Sequence, residues 1–265
     1  NTASQLIGVT PAAGSPTTFT YDTAGRRLTE TTGTAVTTNS FDQAGRLAGV
    51  ARTSGGAVVS TEARAFTPDG LVRSDTVTGV GGALLRFMKF DWNTQTSGPA
   101  QLVSMLDGSS NTGLVRNNGG WAASTVGGKP TVVAADVFGS TLNSTGQTVA
   151  NATGFDPYGN PTGATATTAA KLGYRGELTI QGSTLLRARE YQATTGVFTT
   201  TDPLADVAGT PTSGNPYHYS YNDPINREDP SGLRPGEPDG GANRARIPLP
   251  VSSAAKLGVR VEEIV

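Results

Sequence analysis

The chain lacks cysteine altogether and has one histidine and two methionines among 265 residues. Without thiols there is no cysteine nucleophile, no cysteine-ligated zinc and no disulfide framework, and a single imidazole cannot build a histidine-rich metal site. No metal or cofactor is therefore expected. Charge is sparse and balanced, with 20 Lys and Arg against 21 Asp and Glu and a formal net charge of -1. Such a chain has no basic face to track phosphates and is not read as a nucleic-acid module. Long apolar runs are missing too, so no transmembrane segment is expected, and no signal peptide precedes the first turn. The chemistry that survives these exclusions is mostly carboxylate chemistry.

What the chain has in excess is 35 glycines and 16 prolines, with threonine filling many of the other positions. Gly and Pro interrupt helices and β-branched Thr favours pleated strands, so the composition predicts an all-β fold of short strands joined by tight turns. A chain of this length buries roughly 70% of its unfolded surface and needs no staple to fold. The start at Asn1-Thr2 reads as a processed chain or an excised fragment.

An aromatic residue, an Asp and a Gly-centred turn recur along the chain. Tyr21-Asp22 with Gly25-Arg26 is followed 20 residues later by Phe41-Asp42 with Gly45-Arg46. A weaker copy runs through Phe66, Asp69 and Gly70, Phe90-Asp91 marks another beginning, and Phe155-Asp156 with Gly159-Asn160 is a late one. In each unit the aromatic anchors an inward face, the carboxylate caps the turn and Gly supplies positive φ, so the unit reads as a hairpin. Leu84 to Phe90 and Gln101 to Asp107 read as further strands. From Leu185 to Tyr191, strand alternation puts Arg187, Arg189 and Tyr191 on one face, where the guanidinium groups need carboxylate or carbonyl partners. Alternation also groups Tyr217, Tyr219 and Tyr221 opposite His218 and Ser220, which gives the tyrosines a packing role and His218 a structural one.

Leu185 to Phe198, then Thr201-Asp202-Pro203-Leu204, then Pro216 to Arg227 and Asp229-Pro230-Ser231-Gly232, make the chain resemble the C-terminal part of Rhs or YD-repeat proteins. The resemblance runs roughly from residue 20 to 233, and the ordered block from 185 to 232 is its most specific part. It implies antiparallel YD-repeat hairpins forming part of a spiralling β-shell or cocoon, as in polymorphic toxins and Tc toxin complexes, with an inward-curled C-terminal plug. That shell encloses a variable C-terminal polypeptide, and in many members the plug resembles an aspartyl autoprotease that releases it. The implied organisation is a shell segment over 1–162, a core, plug and autoprotease region over 163–233, and a linker with the start of cargo over 234–265.

The resemblance places the cut at Leu233-Arg234 and two Asp-Pro motifs beside it. Aspartyl hydrolysis uses two carboxylates that share a proton, one serving as acid and one as base. Asp202 and Asp229 are the preferred pair, Asp223 competes with them, and Arg227 is a candidate to orient a carboxylate or stabilise charge on the reacting carbonyl. Arg187, Arg189, Tyr191, Tyr217, Tyr219 and Tyr221 are expected to hold the plug. Asp-Pro and Pro-Ser-Gly also form Asx turns without doing chemistry, and Ala205 stands where the first motif has Gly. The implied partners are an upstream shell segment or subunit, the C-terminal cargo and a delivery apparatus, and the implied location is secreted or cell-surface, with a cytoplasmic stage before export. The competing reading is a non-enzymatic secreted or surface β-repeat scaffold for adhesion or glycan contact.

Overall fold

A computed structural model describes residues 1–96, 98–117, 120–126, 129–132, 134–136, 138–143, 154–162, 171–204 and 214–233. Twelve strands form one antiparallel sheet in sequence order: β1 Gly8–Val9, β2 Thr17–Tyr21, β3 Arg27–Thr32, β4 Ala35–Phe41, β5 Leu47–Ser54, β6 Ala57–Phe66, β7 Val72–Gly79, β8 Leu84–Asn93, β9 Gln101–Asp107, β10 Ser110–Asn117, β11 Gly120–Val126 and β12 Lys129–Val132. Two short ribbons follow, β13 Ala134–Ala135 with β14 Thr141–Asn143, and β15 Gly154–Phe155 with β16 Pro161–Thr162. A five-stranded sheet, β17 Lys171–Leu172, β18 Leu178–Ile180, β19 Ser183–Leu186, β20 Arg189–Gln192 and β21 Val197–Phe198, completes the described strands. The helical elements among the described residues are three single 3-10 turns. No helix there is long and apolar enough to cross a membrane.

The repeat is visible in the register. Tyr21, Phe41 and Phe66 each close a strand after a bulge, and Trp92 follows a bulge one residue before the end of β8; they pair with Arg27, Leu47, Val72 and Leu102 respectively. The aromatic of the fourth unit is therefore Trp92 rather than Phe90, and Asn93 takes the Asp place, its Oδ1 accepting from the Gln95 amide at 2.9 Å. In the third unit Thr67 replaces Asp: its carbonyl accepts from the Gly70 amide at 3.0 Å and its Oγ1 from the Leu71 amide at 3.1 Å. Arg26 lies over the Phe41 ring at 4.6 Å and Arg46 over the Phe66 ring at 4.2 Å, so each turn's cation caps the next unit's aromatic.

The expected spiralling shell with an inward-curled plug is not what the chain builds. Every pairing in the long sheet joins strands adjacent in sequence. Closing a sheet requires its first and last strands to pair with a matched tilt and stagger, and β1 and β12 do not pair among the described residues. Among the described residues no sheet closes into a barrel or curls strongly. The C-terminal stretch buries its apolar side by lying as a second open sheet against the first. Leu172, Leu178, Ile180 and Leu185 share one core with Val72, Met88, Phe90, Leu102 and Met105. Each such fully buried side chain contributes roughly 1.5–3 kcal/mol.

Ionic contacts join the same two sheets. Arg64 on β6 donates from Nη2 and Nε to Glu62 Oε1 at 2.6 and 2.9 Å and from Nη1 to Glu190 on β20. Arg52 pairs with Glu62 at 3.0 Å and Arg86 with Asp75 at 2.6 Å. Burial opposes ionisation at Glu62, yet Arg64 and Arg52 hold its carboxyl below the ordinary range. Burial and the neighbouring Glu62 push Asp75 up.

Candidate active site

The segment from Leu185 to Tyr191 is a hairpin, not one strand. Leu186 pairs with Arg189, and Arg187 turns the chain at φ 54°. The single row of guanidinium groups expected from alternation is thereby divided. Arg187 reaches Glu177 at 2.5 Å, the Ala100 carbonyl at 2.8 Å and the Pro230 carbonyl at 2.9 Å. Arg189, over the Phe198 ring at 3.6 Å, turns to the other two motifs.

Residues 229–233 dock on this hairpin with the turn that the repeats use. The Asp229 carbonyl accepts from the Gly232 amide at 3.2 Å, and its Oδ1 accepts from the Leu233 amide at 3.0 Å and from the Ser231 hydroxyl at 3.1 Å. Ala188 N donates to the Ser231 carbonyl at 3.1 Å and Arg189 Nε to the Gly232 carbonyl. Gly232 has φ 69°, and a Cβ there would lie 2.3 Å from the Leu186 carbonyl oxygen, so only Gly fits both the turn and the contact.

Asp202 and Asp229 meet at one atom. Arg189 Nη2 lies 3.1 Å from Asp202 Oδ2 and 3.4 Å from Asp229 Oδ2. The Asp229 side chain is fully buried, whereas that of Asp202 is 18% exposed. Burial pushes the Asp229 carboxyl above its ordinary range; Arg189, the Ser231 hydroxyl and the Leu233 amide pull against it, and the charge on Asp202 pushes the same way as burial. Asp202 Oδ1 accepts from the Leu204 amide at 2.8 Å, so it too caps a turn, while Ala205 lies outside the described residues.

The other candidates sit elsewhere. Arg227 places its guanidinium over Tyr221 at 5.4 Å. Asp223 accepts from Asn226 Nδ2 at 2.9 Å within its own turn. Tyr191 stacks on Tyr219 with centroids 4.2 Å apart, and the Tyr217 hydroxyl donates to the Gly25 carbonyl at 2.7 Å. Tyr221 leaves the tyrosine row: residues 220–222 all take positive φ in a 3-10 turn, and its ring stacks on His218 at 5.0 Å. Leu233 is buried, and Arg234 with the rest of 234–265 lies outside the described residues. Ser231, which hydrogen-bonds Asp229, and Arg175, which donates to the Arg227 carbonyl at 3.3 Å and pairs with Glu228 at 3.7 Å, had not been singled out. The hydroxyl two residues after Asp229 is the one of these that an Asx-turn reading could have found. Among the described residues, no group of three or more His, Cys, Asp or Glu side chains is placed to hold a metal ion.

A scan against protein-family models matches the RHS Repeat family over residues 1–38. A search of the curated proteins finds no match. Among solved structures, the chain is similar to the crystal structure of TcdB2-TccC3, at 16% identity and a TM-score of 0.50, over 82% of this chain and 14% of that one. It is similar to TcdB2-TccC3-TEV at 15% identity and a TM-score of 0.50, over 82% of this chain and 13% of that one. A Photorhabdus luminescens Tc holotoxin pore matches at 16% identity and a TM-score of 0.50, over 89% of this chain and 14% of that one. At these identities the likeness is one of fold, and the chain spans a small part of each of those chains.

Proposed function

We propose that this chain is a cargo-shell component of a toxin-like assembly and that Asp202 and Asp229 cut its own Leu233-Arg234 bond, releasing the polypeptide that follows. The observation that carries the release step is the sharing of Arg189 Nη2 by two carboxylates, one of which also holds the amide of Leu233. The shell role is supported by the RHS Repeat match and by the likeness of fold to parts of TcdB2-TccC3. In this reading residues 1–162 contribute wall, 163–233 release, and 234–265 the start of what is released. An upstream shell segment or subunit completes the enclosure, and the assembly acts outside the cell that makes it.

The reaction is a hydrolysis in which water is the co-reactant. Asp202, the more exposed carboxylate, takes a proton from a water as its oxygen adds to the Leu233 carbonyl carbon. Asp229, whose carboxyl burial holds above its ordinary range, gives its proton to the departing Arg234 nitrogen. The C–N bond breaks, leaving a carboxylate on Leu233 and an amine on Arg234. Arg189 keeps the two acids adjacent and limits their repulsion. A cleft lined by Arg46, Phe66, Trp92, Arg187, Arg189 and Thr199 lies beside this pair on the Arg189 side.

The test is intact-mass analysis of the freshly folded full chain beside Asp229→Asn and Asp202→Asn. The expected result is loss of residues 234–265 from the parent chain and an unchanged mass in both variants. Identical intact masses for all three after prolonged incubation would overturn the release step.

A further inference from the structure

Residues 229–233 repeat the turn made at Asp22, Asp42 and Asp156, and the fourth residue after each Asp governs what becomes of the carboxylate. In all four turns Oδ1 accepts from the amide of that fourth residue, which is Arg26, Arg46, Asn160 or Leu233. The second oxygen is treated differently. Arg26 Nε donates to Asp22 Oδ2, Arg46 Nε to Asp42 Oδ2 and Asn160 Nδ2 to Asp156 Oδ2, each at 2.7 Å. In these three turns the fourth side chain folds back and occupies the carboxylate of its own turn.

Leu233 has no side-chain donor to offer. Asp229 Oδ2 instead meets Arg189 Nη2 at 3.4 Å, the atom that also binds Asp202. A hydroxyl is added on the other oxygen. Ser231 Oγ donates to Asp229 Oδ1 at 3.1 Å, at the place from which Ala24, Ala44 and Tyr158 donate through their amides in the other turns. The turn's own donors therefore converge on Oδ1, and Oδ2 is left to the contact between the two acids. At Asp22 and Asp42 burial opposes ionisation, and the side-chain bond from the fourth residue is foremost among the contacts that outweigh it. Leucine cannot make that bond, and at Asp229 burial prevails.

We propose that the side chain at position 233 selects for the cut: Leu233, lacking a donor, leaves Asp229 Oδ2 to the cation shared with Asp202, and a residue with a donor there would claim that oxygen as the repeat turns do. The consequence for cutting rests on the release reading above, in which Leu233 is both the fourth residue of the acid's turn and the residue whose carbonyl is attacked. One turn thus serves as wall at Asp22 and Asp42 and as acid at Asp229, according to the residue at its end.

The test compares Leu233→Asn with Leu233→Met in the full chain. Asn keeps the branch point of Leu and reproduces the Asp156–Asn160 pair, whereas Met is apolar and has no donor. Cutting followed by intact-mass analysis should be roughly tenfold slower, or more, in Leu233→Asn than in Leu233→Met. Acidity is read separately, from the Asp229 carboxyl carbon shift, with each change placed in Asp202→Asn, which the release reading leaves uncut. Asp229 should titrate at lower pH with Asn at 233 than with Met. The converse change, Arg46→Leu, should move Asp42 to higher pH, and it disturbs neither the buried turn nor the cut bond. Equal rates in two chains that both cut, equal titration of Asp229 in the two backgrounds, or an unmoved Asp42 in Arg46→Leu would each overturn the selection. A parent chain that stays intact while the titrations still separate would remove the release step and leave the control of Asp229 by residue 233 standing.

Discussion

At Asp42 and at Asp229 the chain makes the same turn in different company. In both, the Asp carbonyl accepts from a Gly amide three residues on, and Oδ1 accepts from the amide four residues on. Asp42 then pairs with Arg46 of its own turn, and both side chains are partly exposed. Asp229 is buried and pairs with Arg189, which arrives from a hairpin forty positions earlier and is already bound to Asp202. The consequences for charge are opposite. Burial opposes ionisation at Asp42, but hydrogen bonds from the Arg46 side chain and backbone hold its carboxyl below the ordinary range. At Asp229 burial wins. A turn designed to cap a strand becomes a candidate acid when it is enclosed and made to share its cation.

Adding a methyl group to the two equivalent glycines breaks the comparison most strongly. Gly45 and Gly232 both have positive φ, at 79° and 69°, but a Cβ on Gly45 has 3.8 Å to its nearest neighbour and one on Gly232 has 2.3 Å to backbone oxygen. Gly45→Ala should cost about 1–2 kcal/mol, the conformational penalty alone. Gly232→Ala should cost about 4 kcal/mol or more, because the 229–233 turn must leave the hairpin. Urea unfolding of the two variants reads the difference, and equal losses would mean that the close approach at Gly232 is not real.

Removing the cations should give a smaller contrast. Arg189→Met leaves two neighbouring carboxylates without their shared partner and is expected to cost about 3 kcal/mol. Arg46→Met removes a partly exposed pair and a ring contact and should cost about 1 kcal/mol. The same unfolding experiment measures both.

The smallest effect lies in the titration. The folded carboxyl of Asp42 is depressed, so the stability it contributes is present above the ordinary value of 3.8 and is lost as pH falls through its lower folded value. Asp229 is raised, so the folded state binds its proton more tightly than the unfolded state does. Its contribution is fully present below 3.8 and is lost as pH rises through its higher folded value. Carboxyl carbon shifts followed by NMR should place Asp42 below and Asp229 above 3.8.

The repeat turns were legible because an Asp capping its own turn and a Gly at positive φ are local demands that leave a local pattern. The strands read at Leu84 to Phe90, which the structure carries on to Asn93, and at Gln101–Asp107 were legible from β-rich runs between turn residues. The hairpin at Arg187 was not, since Arg-Ala carries no Asn-Gly or Asp-Gly pattern and unbroken alternation reads as one strand. The turn at residues 220–222 failed for the same reason, because Tyr221 gives no warning of positive φ. In the third turn Asp69 reads as the capping residue, whereas Thr67, one position after the aromatic, does that work. Sheet closure was beyond reach: local pattern specifies which strands are neighbours, whereas barrel or spiral curvature depends on accumulated tilt and stagger. The shared Arg189 joins Asp202 and Asp229, 13 and 40 positions on in the chain, and the resemblance nominated these two acids without indicating what holds them together.

The account rests on water adding to the Leu233 carbonyl under the control of the enclosed pair. Folding the full chain in water enriched in oxygen-18 and analysing the products by peptide mass spectrometry tests this most directly. The expected result is a fragment ending at Leu233 with one heavy oxygen in its new carboxylate and a partner beginning at Arg234, both missing from Asp229→Asn. An intact chain, a cut at another bond, or cleavage that persists in Asp229→Asn would contradict it.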